Sequence, residues 1–383
     1  MSSLKTVVVG GGVAGLETAL ALRALAGDRT SVAIIAPETE FVYRPMTVRE
    51  PFAFGHARRH SLQEMVEDMG AELVAGELAE VDVAGRVART TAGAELPYDA
   101  LVLAMGARRR ERYPHATTID DRLMDEQLHG LVQDVEAGYV HSIAFVIPKL
   151  AWPLPMYELA LMTAQRASDL GATLTLTIVT PERAPLSVFG QGASTGIAEL
   201  LADAGVAVEC SADAEVPQPG HVVIAPGTRR LEAERVIALP ALVGPSIPGL
   251  PAGPDGFIPV DAFCRVPGAE GVYAAGDAAD RQIKHGGLAA LQADTIAGMI
   301  AADAGAEVER VPYQPEIRGL LLTGGRPLFL TARIVGGRGF SSSITDTPTW
   351  SPPTKIAAVH LAPYLDGLDV NGHRVLSEQP GPA

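Results

Sequence analysis

The sequence predicts an α/β chain in two doubly wound domains, the first interrupted by the second, with a short C-terminal region behind them. Three observations predict this. A strand, glycine turn, helix and strand open the chain; the same alternation restarts near residue 143; and a stretch dense in proline and glycine near residue 245 returns the chain to a strand and a helix.

At 383 residues the chain has room for two domains and a large core. Residues 6–9 form an apolar run, residues 13–25 are rich in helix-forming Ala and Leu, and residues 31–35 form a second apolar run. Strand-like runs follow at 71–74, 77–83, 86–91 and 100–104. The alternation then repeats as strand 143–147, helix 156–170, strand 174–179, helix 196–204 and strand 206–210. Between Pro240 and Pro259 the prolines and glycines exclude helix and central strand, so a domain crossing is placed there. A short strand at 271–275 and a helix at 288–304 follow. The expected domains are 1–115 with 245–317, then 116–244, then a C-terminal region 318–383.

Composition narrows the function classes. Thirty basic residues against 45 acidic ones leave a net charge of −15, which repels nucleic-acid backbones and anionic membrane surfaces, so nucleic acid is not an expected partner. Cys210 and Cys264 are too few for a disulfide scaffold or a thiolate metal site, so no metal is expected and a reducing cytoplasm fits. The chain enters a strand at once, so no secretory leader is expected, and it has no run of about 18 apolar residues of the kind that spans a bilayer.

In VVVGGGVAGLETAL, Gly10, Gly12 and Gly15 supply G-x-G-x-x-G between a strand and a helix. Gly10 permits the tight turn, Gly12 lets backbone approach a pyrophosphate, and Gly15 lets helix and strand pack closely. Val13 and Ala14 complete a first helical turn whose amides face an anion. The domain is thus Rossmann-like, built for a dinucleotide. The acidic residue expected about 20 positions later to hold the ribose is replaced by Ala36, so Glu38 is the candidate ribose partner.

YDALVLAMGAR (98–108) and GVYAAGDAAD (271–280) are similar to two signature segments of the two-dinucleotide-binding-domain flavoproteins, the pyridine nucleotide-disulfide reductase superfamily. The resemblance implies FAD as cofactor, with Asp277 of the Gly276–Asp277 pair on its ribityl and phosphate part. Within the superfamily the chain most resembles the branch of sulfide:quinone oxidoreductases, flavocytochrome c sulfide dehydrogenase flavoproteins and type II NADH dehydrogenases. FVYRP (41–45), KHGGLAALQAD (284–294) and PPTKIAAVHLAPYL (352–365) carry this likeness. It implies that Arg44, Pro45, Lys284, Gly286, Gly287 and Leu288 lie near the flavin, with Ala104 and Gly106 beside the cofactor. Lys284 and His285 have a plainer reading as a solvated loop pair.

What is missing is equally informative. The strand at 143–147 is followed by PKLAWPLPMYELAL, where Pro148, Pro153 and Pro155 remove amide donors and Trp152 adds bulk at the place of a second pyrophosphate. A normal NADH site is not expected. The sulfide-oxidising relatives carry a cysteine where Trp152 stands and a second one late in the chain; without both sulfurs sulfide capture has no thiolate. Cys210 and Cys264 read as small buried hydrophobes. Tyr157 and Glu158 open the helix after the proline turn, where the likeness points them at the reactive face of the flavin; with Lys284 they are the catalytic candidates, Glu158 as a proton relay if shielded from water.

The expected activity is transfer of electrons from a small donor through FAD to an acceptor, with a quinone as one candidate and without NAD(P)H. Its rivals are a sensing flavoprotein, an NAD(P)H dehydrogenase and a variant sulfide:quinone oxidoreductase. For the apolar tail at 350–365, contact with a membrane surface or quinone competes with a buried helix and a homodimer contact. A cytoplasmic protein is expected, either free or peripheral at the inner face of the membrane.

Overall fold

The fold is described from a computed structural model covering residues 3–335 and 339–368. The chain opens with β1 (Leu4–Val9), α1 (Val13–Ala26), β2 (Thr30–Ala36), β3 (Glu72–Ala75) and β4 (Ala100–Leu103). It continues through β5 (Thr117–Thr118), α2 (Met124–Glu136), β6 (Ser142–Val146), α3 (Leu154–Asp169), β7 (Thr175–Val179), α4 (Gln191–Asp203), β8 (Val206–Glu209) and β9 (Arg235–Ala238). It then returns as β10 (Val272–Ala274) and α5 (Gly286–Asp303), followed by β11 (Glu316–Leu321), β12 (Leu328–Val335), β13 (Gly339–Thr345) and α6 (Leu361–Asp366).

Two parallel five-stranded sheets result, in the orders β10-β4-β1-β2-β3 and β5-β9-β6-β7-β8. Central parallel strands are covered on both faces, which is why β1, β4 and β6 are nearly continuous apolar runs: Val8, Leu101, Val102, Leu103, Ala144 and Val146 are fully buried. Each sheet reverses its strand order once, beside β1 in the first and beside β6 in the second. At such a reversal the loops leaving the carboxyl ends diverge and open a crevice. The chain crosses between the sheets where Arg108–Arg110 pairs antiparallel with Ala241–Val243.

The interval 116–142, read above without a helix, carries α2. Its buried residues Met124, Leu128, Val132 and Val135 recur every three or four positions, a helical stripe that the charged residues between them disguise. The tail also differs. A three-stranded antiparallel sheet, β11-β12-β13, lies against α4, with Ser342 Oγ donating to Phe189 O and accepting from Ala193 N. The apolar stretch at 356–365 begins as an irregular strap, continuous with residues 350–355, and its second half is the short α6. Its side chains Trp350, Ile356, Leu361, Ala362 and Leu365 are buried, and Val359 is exposed. The part of the C-terminal region at 369–383 lies outside the described residues. Among the described residues no helix is long and apolar enough to cross a membrane.

The strap is fastened at several points. Glu17 in α1 accepts from the amides of His360 (2.8 Å) and Leu361 (2.5 Å), Ile356 N donates to Tyr43 Oη (2.9 Å), and Lys355 pairs with Glu158. Asp294 of α5 faces Glu17, and burial, then the neighbouring carboxylate, pushes its carboxyl up to about 8. A carboxyl whose pKa rises on folding supports the fold at low pH, and that support is lost as pH climbs from about 4 through about 8. Asp294→Asn is therefore expected to melt above wild type at pH 8.5 and level with it at pH 4. Paired thermal melts at the two pH values check this, and an equal offset at both would refute it.

Candidate functional site

The two crevices open into one cavity of about 590 Å³. From the first sheet come Gly10–Ala14 after β1, Ala104–Gly106 after β4 and Gly276–Asp277 after β10. From the second come Trp152, Leu154, Pro155 and Glu158 after β6, and Leu239 and Pro240 after β9. The strap contributes Lys355 and Ile356. Neither cysteine lines the cavity; Cys264 is buried, which pushes its thiol up to about 12 and leaves it inert.

The glycine turn divides its labour visibly. Gly10 has φ +114°, and a Cβ there would stand 2.4 Å from Ala104 O; a Cβ on Gly15 would stand 1.9 Å from Gly10 O. A Cβ on Gly12 would meet no protein atom within 4 Å. Gly10 and Gly15 are thus required by the fold, while Gly12 keeps space clear on the cavity side. No side chain caps α1 and no acidic residue stands in its first turn, so its positive end is left for an anion.

Most sequence-predicted residues meet in this cavity: Gly10, Gly12, Val13, Ala14, Glu38, Arg44, Pro45, Ala104, Gly106, Glu158, Gly276, Asp277, Lys284 and Gly286 all line it. Four do not. Gly15 is spent on helix–strand contact, Gly287 sits under the His285 ring, and Leu288 is a core residue. Tyr157, fully buried, turns the other way and donates to Glu182 Oε2 at 2.8 Å, so it has no access to a ligand in the cavity. Glu182 lies just beyond the end of β7, where a second dinucleotide would look for a ribose partner; it accepts from Tyr157 and from Thr180 Oγ1 (3.1 Å) instead.

The charged groups are ordered along the cavity. At the end near Gly12, Glu38 is held by Arg122 (2.9 Å) and Arg109 by Asp120 and Asp121. Arg44 makes no side-chain hydrogen bond or ion pair among the described residues, and its burial lowers its pKa. The half-buried Asp277 carboxyl makes no side-chain hydrogen bond among the described residues; desolvation raises its pKa against the pull of Lys284, Arg109 and Arg44. Lys284 does not reach openly into the space. Its ammonium donates to Ala279 O (2.6 Å) and Asp277 O (3.1 Å) and lies 3.7 Å from the Phe257 ring centre, and burial brings its pKa down to about 8.

At the other end Lys355 Nζ stands 2.6 Å from both oxygens of Glu158, which also accepts from Leu322 N at 2.9 Å. Both partners are buried, and desolvation raises the carboxyl and lowers the ammonium, each pulled back by the other. The pair is poised for proton exchange because neither charge is favoured without its partner. Beside it Trp152 packs on Phe189 (centroids 5.8 Å) and on His285 (4.5 Å). The sequence pointed to Glu158 and, through the likeness carried by 352–365, to the segment holding Lys355, 197 positions away; it did not show their ion pair, or Arg109 and Arg122.

A model of the pyridine nucleotide-disulphide oxidoreductase family matches residues 4–136 and 158–293. The chain belongs to this family. It is therefore an oxidoreductase, as its two sheets and their shared cavity lead one to expect. The family match breaks between residues 136 and 158, across β6 and the proline turn. A NADH dehydrogenase-like protein of Mycobacterium tuberculosis is 28% identical over 294 residues, covering 72% of each chain. Among solved structures, the sulfide:quinone oxidoreductase of Aquifex aeolicus superposes with a TM-score of 0.81 at 19% identity, over 90% of this chain and 87% of that one. A ferredoxin reductase from Rhodopseudomonas palustris gives 0.66 at 20% identity, over 89% and 88%. A NAD-dependent persulfide reductase from A. fulgidus gives 0.61 at 19%, over 87% of this chain and 64% of its own. These likenesses establish the fold that this oxidoreductase shares with them.

Proposed function

We propose that this oxidoreductase binds FAD in the cavity and passes electrons from a small donor to a small carbonyl-bearing acceptor, of which a quinone is the model, without using NAD(P)H. The observation that carries the proposal is the contrast between the two turns facing one cavity. The first is glycine-lined and uncapped, and shares the cavity with Arg44, whose guanidinium has no hydrogen-bond or ion-pair partner among the described residues, which suits a pyrophosphate. The second presents Pro153, Leu154 and Pro155 at the start of α3, with Trp152 beside them and Glu182 engaged inside the domain.

When bound, FAD supplies a two-electron store that one substrate fills and another empties. Gly10 to Ala14 and Arg44 would hold its pyrophosphate, Asp277 its ribityl chain, and the amino end of α5 would favour negative charge on the reduced ring. Glu158, backed by Lys355, is the group able to hand a proton to a reduced acceptor at that end of the cavity. The buried apolar side chains of the strap favour an acceptor that diffuses in solution over one drawn from a bilayer.

The name of the mycobacterial relative supports a second reading, reduction by NADH. Stopped-flow mixing of the flavin-loaded protein with NADH and with NADPH separates the two. We expect no flavin bleaching within seconds at millimolar nucleotide; fast bleaching by either would favour the second reading and sink the first. Purified protein lacking flavin absorbance and failing to take up added FAD would sink both.

A further inference from the structure

The likeness places the segment of Lys284 and His285 near the flavin, with a solvated loop pair as the plainer alternative; the structure buries His285. It is 8% exposed, lines the cavity and is the N-cap of α5, where its Nδ1 accepts from Leu288 N at 3.3 Å. That bond requires the lone pair on Nδ1, so in the neutral ring the proton sits on Nε2. Burial pushes the imidazole pKa down to about 4, and the positive end of α5 opposes a second proton. Trp152, with its ring centre 4.5 Å away and inclined by 47°, fixes the plane of the imidazole. Nε2 has no hydrogen-bond partner among the described residues, although the ring shares its cavity with Glu158, Lys284 and Lys355.

A buried, neutral imidazole at a helix N-terminus is a fixed N–H donor that cannot turn into an acid. We propose that His285 is a binding residue that donates its Nε2–H to a carbonyl oxygen of a ligand in the cavity, one that gains negative charge when the ligand is reduced. The proton stays on Nε2 throughout; the hydrogen bond shortens as the oxygen becomes more negative, which favours the reduced ligand. The inference rests on the flavin reading above. Two ligands carry such an oxygen: the pyrimidine edge of a bound flavin and a quinone-type acceptor. Trp152 acts through His285, as a positioning residue.

The test uses two substitutions that split the ring's two jobs. Asn keeps an acceptor near Nδ1 and is a good N-cap but does not extend to Nε2, so His285→Asn keeps the cap and deletes the donor. His285→Gln places an amide N–H near Nε2 and gives up the cap. Each flavin-loaded protein is characterised by its melting temperature, its flavin midpoint potential against reference dyes, and its reoxidation by a short-chain quinone and by ferricyanide after anaerobic reduction with dithionite. If the flavin is the ligand, His285→Asn melts like wild type with a more negative midpoint potential. If the acceptor is the ligand, the potential holds, quinone reoxidation slows at least tenfold and ferricyanide reoxidation is unchanged. In either case His285→Gln restores the affected quantity while melting lower. Wild-type potential and reoxidation in His285→Asn would overturn the proposal by leaving the ring as a cap only; a loss that His285→Gln shares in full would overturn it by showing that the effect does not follow the Nε2–H donor. A wild-type protein that holds no flavin would instead count against the flavin reading.

Discussion

Gly12→Ala is expected to fold like wild type and, on the flavin reading, to bind FAD at least tenfold more weakly, whereas Gly15→Ala is expected to destabilise the fold itself. The two glycines are three residues apart in one motif, yet their surroundings differ completely. At Gly12 a methyl group meets no protein atom within 4 Å, and φ is −87°, a value any residue adopts. Alanine is a weaker N-cap than glycine, so a cost of a few tenths of a kcal/mol up to about 1 kcal/mol is expected in the apoprotein. The methyl would instead fill space that a pyrophosphate needs, and FAD affinity should fall at least tenfold, about 1.4 kcal/mol. At Gly15 the methyl would lie 1.9 Å from Gly10 O, which is main chain and can yield only if α1 moves off β1. The better helix propensity of Ala, about 1 kcal/mol, is outweighed by overpacking of about 1–3 kcal/mol or more. Melting of the apoproteins and fluorescence titration with FAD measure the two effects separately. Equal melting temperatures for Gly12→Ala and Gly15→Ala would refute the division of roles, as would unchanged FAD affinity in Gly12→Ala.

The same contrast explains how far the sequence could be read. The placement of Gly10, Gly12, Ala104, Gly106 and Asp277 around one cavity was legible because tight turns and close backbone packing after a strand tolerate few residue types, and those types stand at fixed distances from strand ends. Tyr157 was misplaced for a related reason. A helix's first turn can be placed from sequence to within a residue or two, but adjacent residues diverge by about 100° around the axis. That step sends Glu158 into the cavity and Tyr157 toward Glu182. The segments holding Lys355 and His285 were marked by the family likeness, but the contacts of the two side chains were not legible, on different grounds. Lys355 acquires its meaning only when the strap crosses the second domain, a tertiary fact with no periodic trace. The side-chain setting of His285 has no sequence trace until Trp152, from the loop after β6 of the second sheet, packs against it. The antiparallel strands at 213–232 leave little sequence signal because they are short, polar on alternate positions and interrupted by turns.

The Glu158–Lys355 pair should show its two roles in opposite patterns of single and double substitution. Lys355→Met leaves a carboxylate fully buried without its cation, and breaking such a pair costs about 3–5 kcal/mol. The loss should depend on pH in a definite direction. Burial already raises the Glu158 pKa, and removing Lys355 removes the largest influence that lowers it. A carboxyl raised on folding supports the fold below its unfolded pKa of about 4.3, and that support disappears as pH rises through the folded value. Lys355→Met should accordingly approach wild-type stability near pH 4.5 and fall steadily behind it toward pH 8. The double variant Glu158→Gln/Lys355→Met buries no charge, so it should recover most of what the single variant lost. Function should not recover with it. If Glu158 hands the proton to the reduced acceptor, reoxidation by a short-chain quinone should slow about 100-fold in Glu158→Gln and stay slow in the double variant, in keeping with the size of a general-acid contribution. Ferricyanide takes electrons without a proton and should reoxidise all the variants alike. Stability restored together with quinone reoxidation would make the pair a fastening for the strap alone and would move the source of the proton to another part of the cavity wall.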